Sequence, residues 1–233
     1  MGQPSEPYSG AFFGRRKGKR LRAAQESRLE TTLPDLLLPT GDVPFDEAQL
    51  AGLYPIAPER LVLEIGFGGG EHLAHRAAEA RMTGFIGVEP FVNGLVKMLA
   101  AVTERELSNV RLWNDDASKL LPRLPSASID QVYLLYPDPW PKRRMRKRRF
   151  VSPENLSEIA RILKPGGEFR FASDIDDYIG WTLTRVADEP RLRWTATRAD
   201  DWRKPYEGWP GTRYEAKAFR EGRTPSYLTF VRI

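Results

Sequence analysis

The sequence contains no cysteine, which excludes disulfides, thiolate metal sites and a cysteine nucleophile. Histidine is nearly as scarce. Only His72 and His75 are present, three residues apart in a stretch patterned as a helix, with no third ligand nearby in sequence. A surface pair is the expected reading, and no metal site is expected. No apolar run reaches membrane-spanning length and no signal-peptide pattern opens the chain, so a soluble cytoplasmic protein without membrane contact is expected.

Acidic residues are missing from two stretches. Residues 142–149 read KRRMRKRR, with seven basic side chains, and residues 15–22 read RRKGKRLR, with six. Of 36 basic residues these runs hold thirteen, which leaves 23 against 31 acidic residues and a net negative body. Positive charge focused in two places on an acidic chain suits a polyanion such as nucleic acid. A pair of solvated loops is the alternative, but clustered like charges repel one another unless a partner relieves them.

The 233 residues suit one α/β domain with decorations. Residues 1–10, rich in Gly, Pro and Ser, are expected to be disordered. Residues 11–60 carry the first basic run, LLLP, Pro55 and Pro58, and read as an arm or preamble. The division expected is a basic arm over 1–55 and one domain over 56–233.

From Leu61 a βαβ rhythm begins. Strands are predicted at LVLEI (61–65), GFIGVE (84–89), NVRLWN (109–114), IDQVYLLY (129–136) and EFRFASD (168–174). Helices are predicted over 71–82, 91–107, a short one at ASKLLPRL stopped by Pro122, one starting at the Ser152-Pro153-Glu154 cap, and one over about 176–188. The 164–167 segment KPGG is expected to stop the fourth of these. LRWTATR and SYLTFVRI read as a closing pair. Strands alternating with helices argue a parallel, doubly wound α/β sheet.

Residues 64–70, EIGFGGG, join the first strand to the first helix, where glycines let backbone approach a ligand. Glu89 ends the second strand, placed to accept hydrogen bonds from ribose hydroxyls. These two features alone do not separate a nicotinamide dinucleotide from S-adenosylmethionine. Glu64 favours the second, because a carboxylate there repels a pyrophosphate but suits an ammonium and a sulfonium. Asp115 and Asp116 follow the third strand, where adenine would lie, and Asp138 follows the fourth. An acidic pocket suits a cationic cofactor.

The most specific segment is YPDPWP at 136–141. Ligands of open α/β sheets bind beyond the carboxyl ends of the strands. Three prolines stiffen the loop, Asp138 is held near the pocket, and Trp140 offers a face for stacking on a base. The basic run starts directly after it, at Lys142.

At these residues the chain resembles the bacterial tRNA (guanine-N7-)-methyltransferase family. The likeness runs through FGRRKGKRL, LEIGFGGGEHL, GVEP, NDDA, YPDPWPKRRMRKRRFV, LKPGGEFRFASD and TRYEAKA, and covers nearly all of residues 11–233. It departs from the family at Met145, where many members have His, and in the residues after Glu215. The resemblance implies a Rossmann-like, doubly wound, mostly parallel seven-stranded sheet with an antiparallel edge. It implies methyl transfer from S-adenosylmethionine to N7 of guanine at position 46 in the tRNA variable loop, by a monomer or homodimer. Glu64, Gly66, Gly68, Glu89, Asp116 and Asp138 would contact the cofactor, with Asp138 also the catalytic residue. Lys142, Asp174, Thr212, Arg213, Tyr214 and Glu215 would contact the substrate. Arg144, Met145, Arg146, Lys147, Arg148 and Arg149 would contact RNA.

Guanine N7 carries a free lone pair, so no proton must leave before it attacks, and alignment and electrostatics should dominate. Asp138 either stabilises the positive charge arriving on the base or accepts hydrogen bonds from its N1 and N2 edge. Asp174 either takes that edge or caps a helix. Two rivals frame the reading. An adenine exocyclic-amine methyltransferase carries a similar proline loop with one more proline. A non-catalytic RNA-binding module would not need Glu64, Glu89, Asp116 and Asp138.

Overall fold

A computed structural model describes Gly14 and residues 16–233; the disorder expected over residues 1–10 lies outside the described residues. Seven strands form one sheet: β1 (Arg60–Ile65), β2 (Thr83–Val88), β3 (Val110–Trp113), β4 (Ile129–Leu135), β5 (Leu163–Ser173), β6 (Leu192–Trp194) and β7 (Ser226–Arg232). Their order is β3-β2-β1-β4-β5-β7-β6. The first five strands are parallel, and β7 runs antiparallel to both β5 and β6. The doubly wound sheet with an antiparallel edge is therefore present as expected.

The helices are α1 (Ala23–Thr31), α2 (Leu33–Leu36), α3 (Glu47–Gly52), α4 (Glu71–Glu79), α5 (Val92–Glu104), α6 (Ala117–Leu120), α7 (Pro153–Ile162), α8 (Asp176–Ala187), α9 (Asp200–Arg203) and α10 (Arg213–Arg220). Side chains alternate across each strand. Leu63, Ile65, Ile86, Val88, Val132 and Leu134 belong to the core that α7 and α8 also enter, whereas Val62, Phe85, Tyr133 and Leu135 belong to the core that α4 and α5 enter. Both faces are covered, which is why the strands read as nearly continuous apolar runs. Each fully buried leucine or isoleucine contributes about 1.5–3 kcal/mol.

Three details differ from the sequence reading. α4 ends at Glu79 rather than near 82, because Asn109 Nδ2 takes up the carbonyls of Ala77, Ala80 and Thr83 at 2.9–3.1 Å. The KPGG segment does not separate helix from strand. β5 starts at Leu163, which pairs with Ile129, and pairing resumes at Glu168 with Gln131, so residues 164–167 form an irregularity within the strand. The preamble joins the domain. Leu38 and Leu50 enter one core and Leu33 and Leu36 the other, while the Leu38 amide bonds the Leu112 carbonyl at the β3 edge at 2.9 Å. Among the described residues, no helix is long and apolar enough to cross a membrane.

Candidate active site

Register brings the candidate residues to one edge of the sheet. Ile65 lies opposite both Val88 and Leu134, and Leu135 lies opposite Ala172. The chain segments that leave β1, β2, β4 and β5 thus emerge side by side. A cavity of about 650 Å³ opens there, and Gly66, Gly68, Glu89, Asp116, Asp138, Arg213 and Tyr214 line it.

Gly66 and Gly68 adopt φ of 73° and 59°, a region that costs other residues a clash at Cβ. The turn aims the Gly68 amide at Glu89 Oε2, 2.6 Å away, while Glu89 Oε1 accepts the Phe91 amide at 3.0 Å. Gly94 allows α5 to press on this loop, since a Cβ there would fall 2.2 Å from the Gly68 carbonyl. Burial raises the Glu89 pKa to about 7, against the opposing effect of the two amides and of Arg213. Asp116 caps α6 by accepting the Ser118 amide at 2.9 Å. Asp115 is turned away into ion pairs with Lys119 and Arg16, both at 2.7 Å. Those pairs outweigh its desolvation and hold its pKa down to about 2.

Glu64 does not line the cavity. It shares its strand face with Val62, under α4, and is buried against His72, whose Nδ1 lies 2.7 Å from Glu64 Oε2. The surface histidine pair expected from sequence is corrected here. His72 is buried between Tyr133 and Trp209, because α4 turns that side of the helix onto the sheet, and His75 alone remains partly exposed beside Glu79. Among the described residues, no group of three or more His, Cys, Asp or Glu is placed to hold a metal.

The loop after β4 is strained. Tyr136 and Trp140 have φ of 50° and 41°, left-handed values that cost a non-glycine residue about 1–3 kcal/mol each. Between them Asp138 opens into the cavity. Solvent reaches its side chain, but the surrounding walls desolvate it enough to raise its pKa above the ordinary carboxylate range. The basic run follows as a 3-10 turn, Arg143–Arg148. Lys142, Arg143, Arg144 and Lys147 are exposed, and Met145 is partly so. Lys147, Arg148 and Arg149 border the cavity, and the Arg148 guanidinium lies 5.1 Å from the Trp140 ring centre. Arg146 pairs with Asp177 at 2.7 Å. Arg149, expected among the RNA contacts, is fully buried against Asp177. Lys142 does not line the cavity.

The 212–215 segment divides in two. Thr212 caps α10 by accepting the Glu215 amide at 3.1 Å. Arg213 and Tyr214 face the cavity, with Tyr214 nearly parallel to Tyr136, 6.5 Å between ring centres. Glu215 points inward, accepts Trp209 Nε1 at 2.9 Å and binds the Tyr227 hydroxyl. Asp174 sits at the same sheet edge in a 2.6 Å pair with Arg223. It does not cap α8, which starts with no side-chain cap. Tyr136, Phe91 and Asp177 were missed by sequence reasoning. Tyr136 had a signal in its place directly before the proline loop; Asp177 had none.

The N-terminal arm reaches this site. Gly14 lines the cavity, the Arg16 carbonyl accepts the Val92 amide at 3.0 Å, and Asn93 bonds both Gly18 N and Lys19 O. Lys17, Lys19 and Arg20 stay exposed. The two basic runs, distant in sequence, therefore flank one cavity.

The fold recurs in solved methyltransferases. A 16S rRNA methyltransferase, KamB, superposes with a TM-score of 0.58 at 20% identity, covering 81% of this chain and 95% of that one. An aminoglycoside resistance methyltransferase gives 0.54 at 18%, over 81% and 94%. The sheet is thus of the class I methyltransferase fold, and the family model described as a putative methyltransferase matches residues 58–227, which makes the chain a methyltransferase of that fold. The tRNA (guanine-N(7)-)-methyltransferase of Agrobacterium fabrum is 60% identical over 95% of both chains. That of Azorhizobium caulinodans is 57% identical over 97% of this chain and 96% of its own. The chain belongs to the tRNA (guanine-N(7)-)-methyltransferase family.

Proposed function

We propose that the protein methylates N7 of guanine in tRNA, at position 46 of the variable loop, with S-adenosylmethionine as methyl donor. The observation that carries this reading is the placement of Asp138: a carboxylate on a strained proline loop, opening into a cavity flanked by both basic runs. The cavity residues fit the cofactor. Glu89 is an acid buried at the end of β2 whose amide bonds orient it, and it would take hydroxyl donors from a ribose. Asp116 and the backbone of the glycine loop flank it. The cofactor supplies an activated methyl group on a sulfonium.

The chain's own residues do the rest. Exposed Lys17, Lys19, Arg20, Arg143, Arg144 and Lys147 bind phosphates. Tyr136, Trp140 and Tyr214 offer flat faces to the base. Asp138 stabilises the positive charge that the base acquires, or holds its N1 and N2 edge; both need the carboxylate ionised. Arg213 and Tyr214 close the cavity from α10. Glu64, buried with His72, supports the glycine loop from behind and adds negative charge beneath it.

The test is methyl transfer from labelled S-adenosylmethionine to bulk tRNA, followed by nucleoside analysis. The expected product is 7-methylguanosine at position 46. Methyl recovered on an adenine amine would replace this reading with the rival one.

A further inference from the structure

Arg149 closes the basic run in sequence but leaves it in space. Its Nε donates to the Pro139 carbonyl at 2.8 Å and its Nη1 to the Asp177 carbonyl at 3.3 Å, while Nη2 pairs with the Asp177 carboxylate. Its guanidinium carbon lies 4.8 Å from the Tyr178 ring centre and 5.1 Å from that of Trp181. Trp181 in turn donates from Nε1 to the Val151 carbonyl at 2.7 Å. A rigid planar fork that donates in several fixed directions at once is a property of arginine and not of lysine.

The loop it holds cannot hold itself. Residues 137, 139 and 141 are prolines and donate nothing, so from 137 to 141 only Asp138 and Trp140 carry an N–H. Left-handed residues stand on both sides of Asp138, and such a backbone persists only where its surroundings over-determine it. The Pro139 carbonyl is the handle directly after Asp138.

We propose that Arg149 is a positioning residue for methyl transfer: it ties the Pro139 carbonyl, and through it Asp138, to the first turn of α8, and makes no phosphate contact. The proposal rests on the catalytic role given to Asp138 above. Asp177 is the other end of the tie, half-exposed and outside the cavity.

The experiment measures single-turnover methyl transfer, tRNA affinity at several salt concentrations and thermal midpoint for Arg149→Lys, Asp177→Asn and Asp138→Asn. A small displacement of a reacting group costs up to about 100-fold in rate. Arg149→Lys keeps the charge but not the fork, so a rate about 10–100-fold lower is expected, with tRNA affinity within twofold and an unchanged salt slope. Asp177→Asn is expected to slow transfer about fivefold while tRNA binding holds or tightens. If Arg149→Lys does not fold, the Asp177→Asn rate decides. A wild-type rate in both variants overturns the proposal. So does a lower thermal midpoint with an undiminished rate at low temperature, which would leave Arg149 a stabilising residue only. A wild-type rate for Asp138→Asn refutes the role of Asp138 and the positioning role with it, whereas a slow Asp138→Asn beside a fast Arg149→Lys refutes the positioning role alone.

Discussion

His72 Nδ1 stands 2.7 Å from Glu64 Oε2, with both side chains almost fully buried. The imidazole also meets Tyr133 edge-on at 4.7 Å and Trp209 at 5.1 Å, and Trp209 reaches Glu215 on α10. The residue behind the glycine loop is thereby packed to the helix that presents Arg213 and Tyr214. His72→Phe keeps the bulk but strands the Glu64 carboxylate without its donor. The expected loss is about 1–3 kcal/mol of stability, read by urea unfolding. A loss under about 0.5 kcal/mol would mean that water replaces the imidazole.

Glu89 makes cofactor affinity depend on pH near neutrality. Its pKa is raised to about 7 by burial, so below that value it is largely protonated and accepts hydroxyl donors poorly. Affinity for S-adenosylmethionine should therefore fall as pH drops from 8 to 6. Stability of the free protein runs the other way. The folded state holds this proton more tightly than the unfolded chain, so the contribution is full below about pH 4.5, the ordinary value, and is lost as pH rises through about 7. Glu89→Gln should flatten both trends in calorimetric titrations and thermal melts, and should weaken cofactor binding. An affinity independent of pH in the unsubstituted protein would remove Glu89 from the cofactor's surroundings.

Asp138→Asn and Asp138→Ala should lower the single-turnover rate by about 100-fold or more and leave tRNA affinity within about threefold. The carboxylate faces the cavity and makes no bond that holds the fold, so thermal midpoints should change little. Near-normal rates in both variants would reassign the catalytic role, with Arg213 and Tyr214 the groups to examine next.

The exposed part of the basic run should act through phosphates. Replacing Arg143, Arg144 and Lys147 with Ala removes three exposed charges, of which Lys147 borders the cavity. The slope of log affinity against log salt should flatten by roughly one unit or less per residue, and cofactor affinity should hold. An unaltered slope would transfer RNA binding to Lys17, Lys19 and Arg20 of the arm.

Whatever depends on neighbours along the chain was legible in short stretches of residues. The strand and helix alternation, the glycine turn after β1, the acid ending β2, the proline loop after β4 and the two charge runs are all short-range patterns. The structure realises them within a few residues of their expected limits. Which way identical residue types face depends instead on packing between distant segments. Arg148 stays partly exposed over the Trp140 ring and Arg149 is fully buried, yet in sequence they are equivalent members of one run; the difference is Asp177, brought beside Arg149 by α8 from 28 positions away. Glu64 reads as a cofactor acid because it precedes the glycines. A strand buried on both faces shows no polar alternation, so nothing local revealed that the face Glu64 shares with Val62 is the one α4 covers, or that Glu64 meets His72. The same holds for residues 33–54, whose leucines could join a core only once β3 and the sheet supplied one. Local spacing sets the backbone's path, whereas the partner of a buried charge or an apolar side chain is chosen by distant segments that the path brings together.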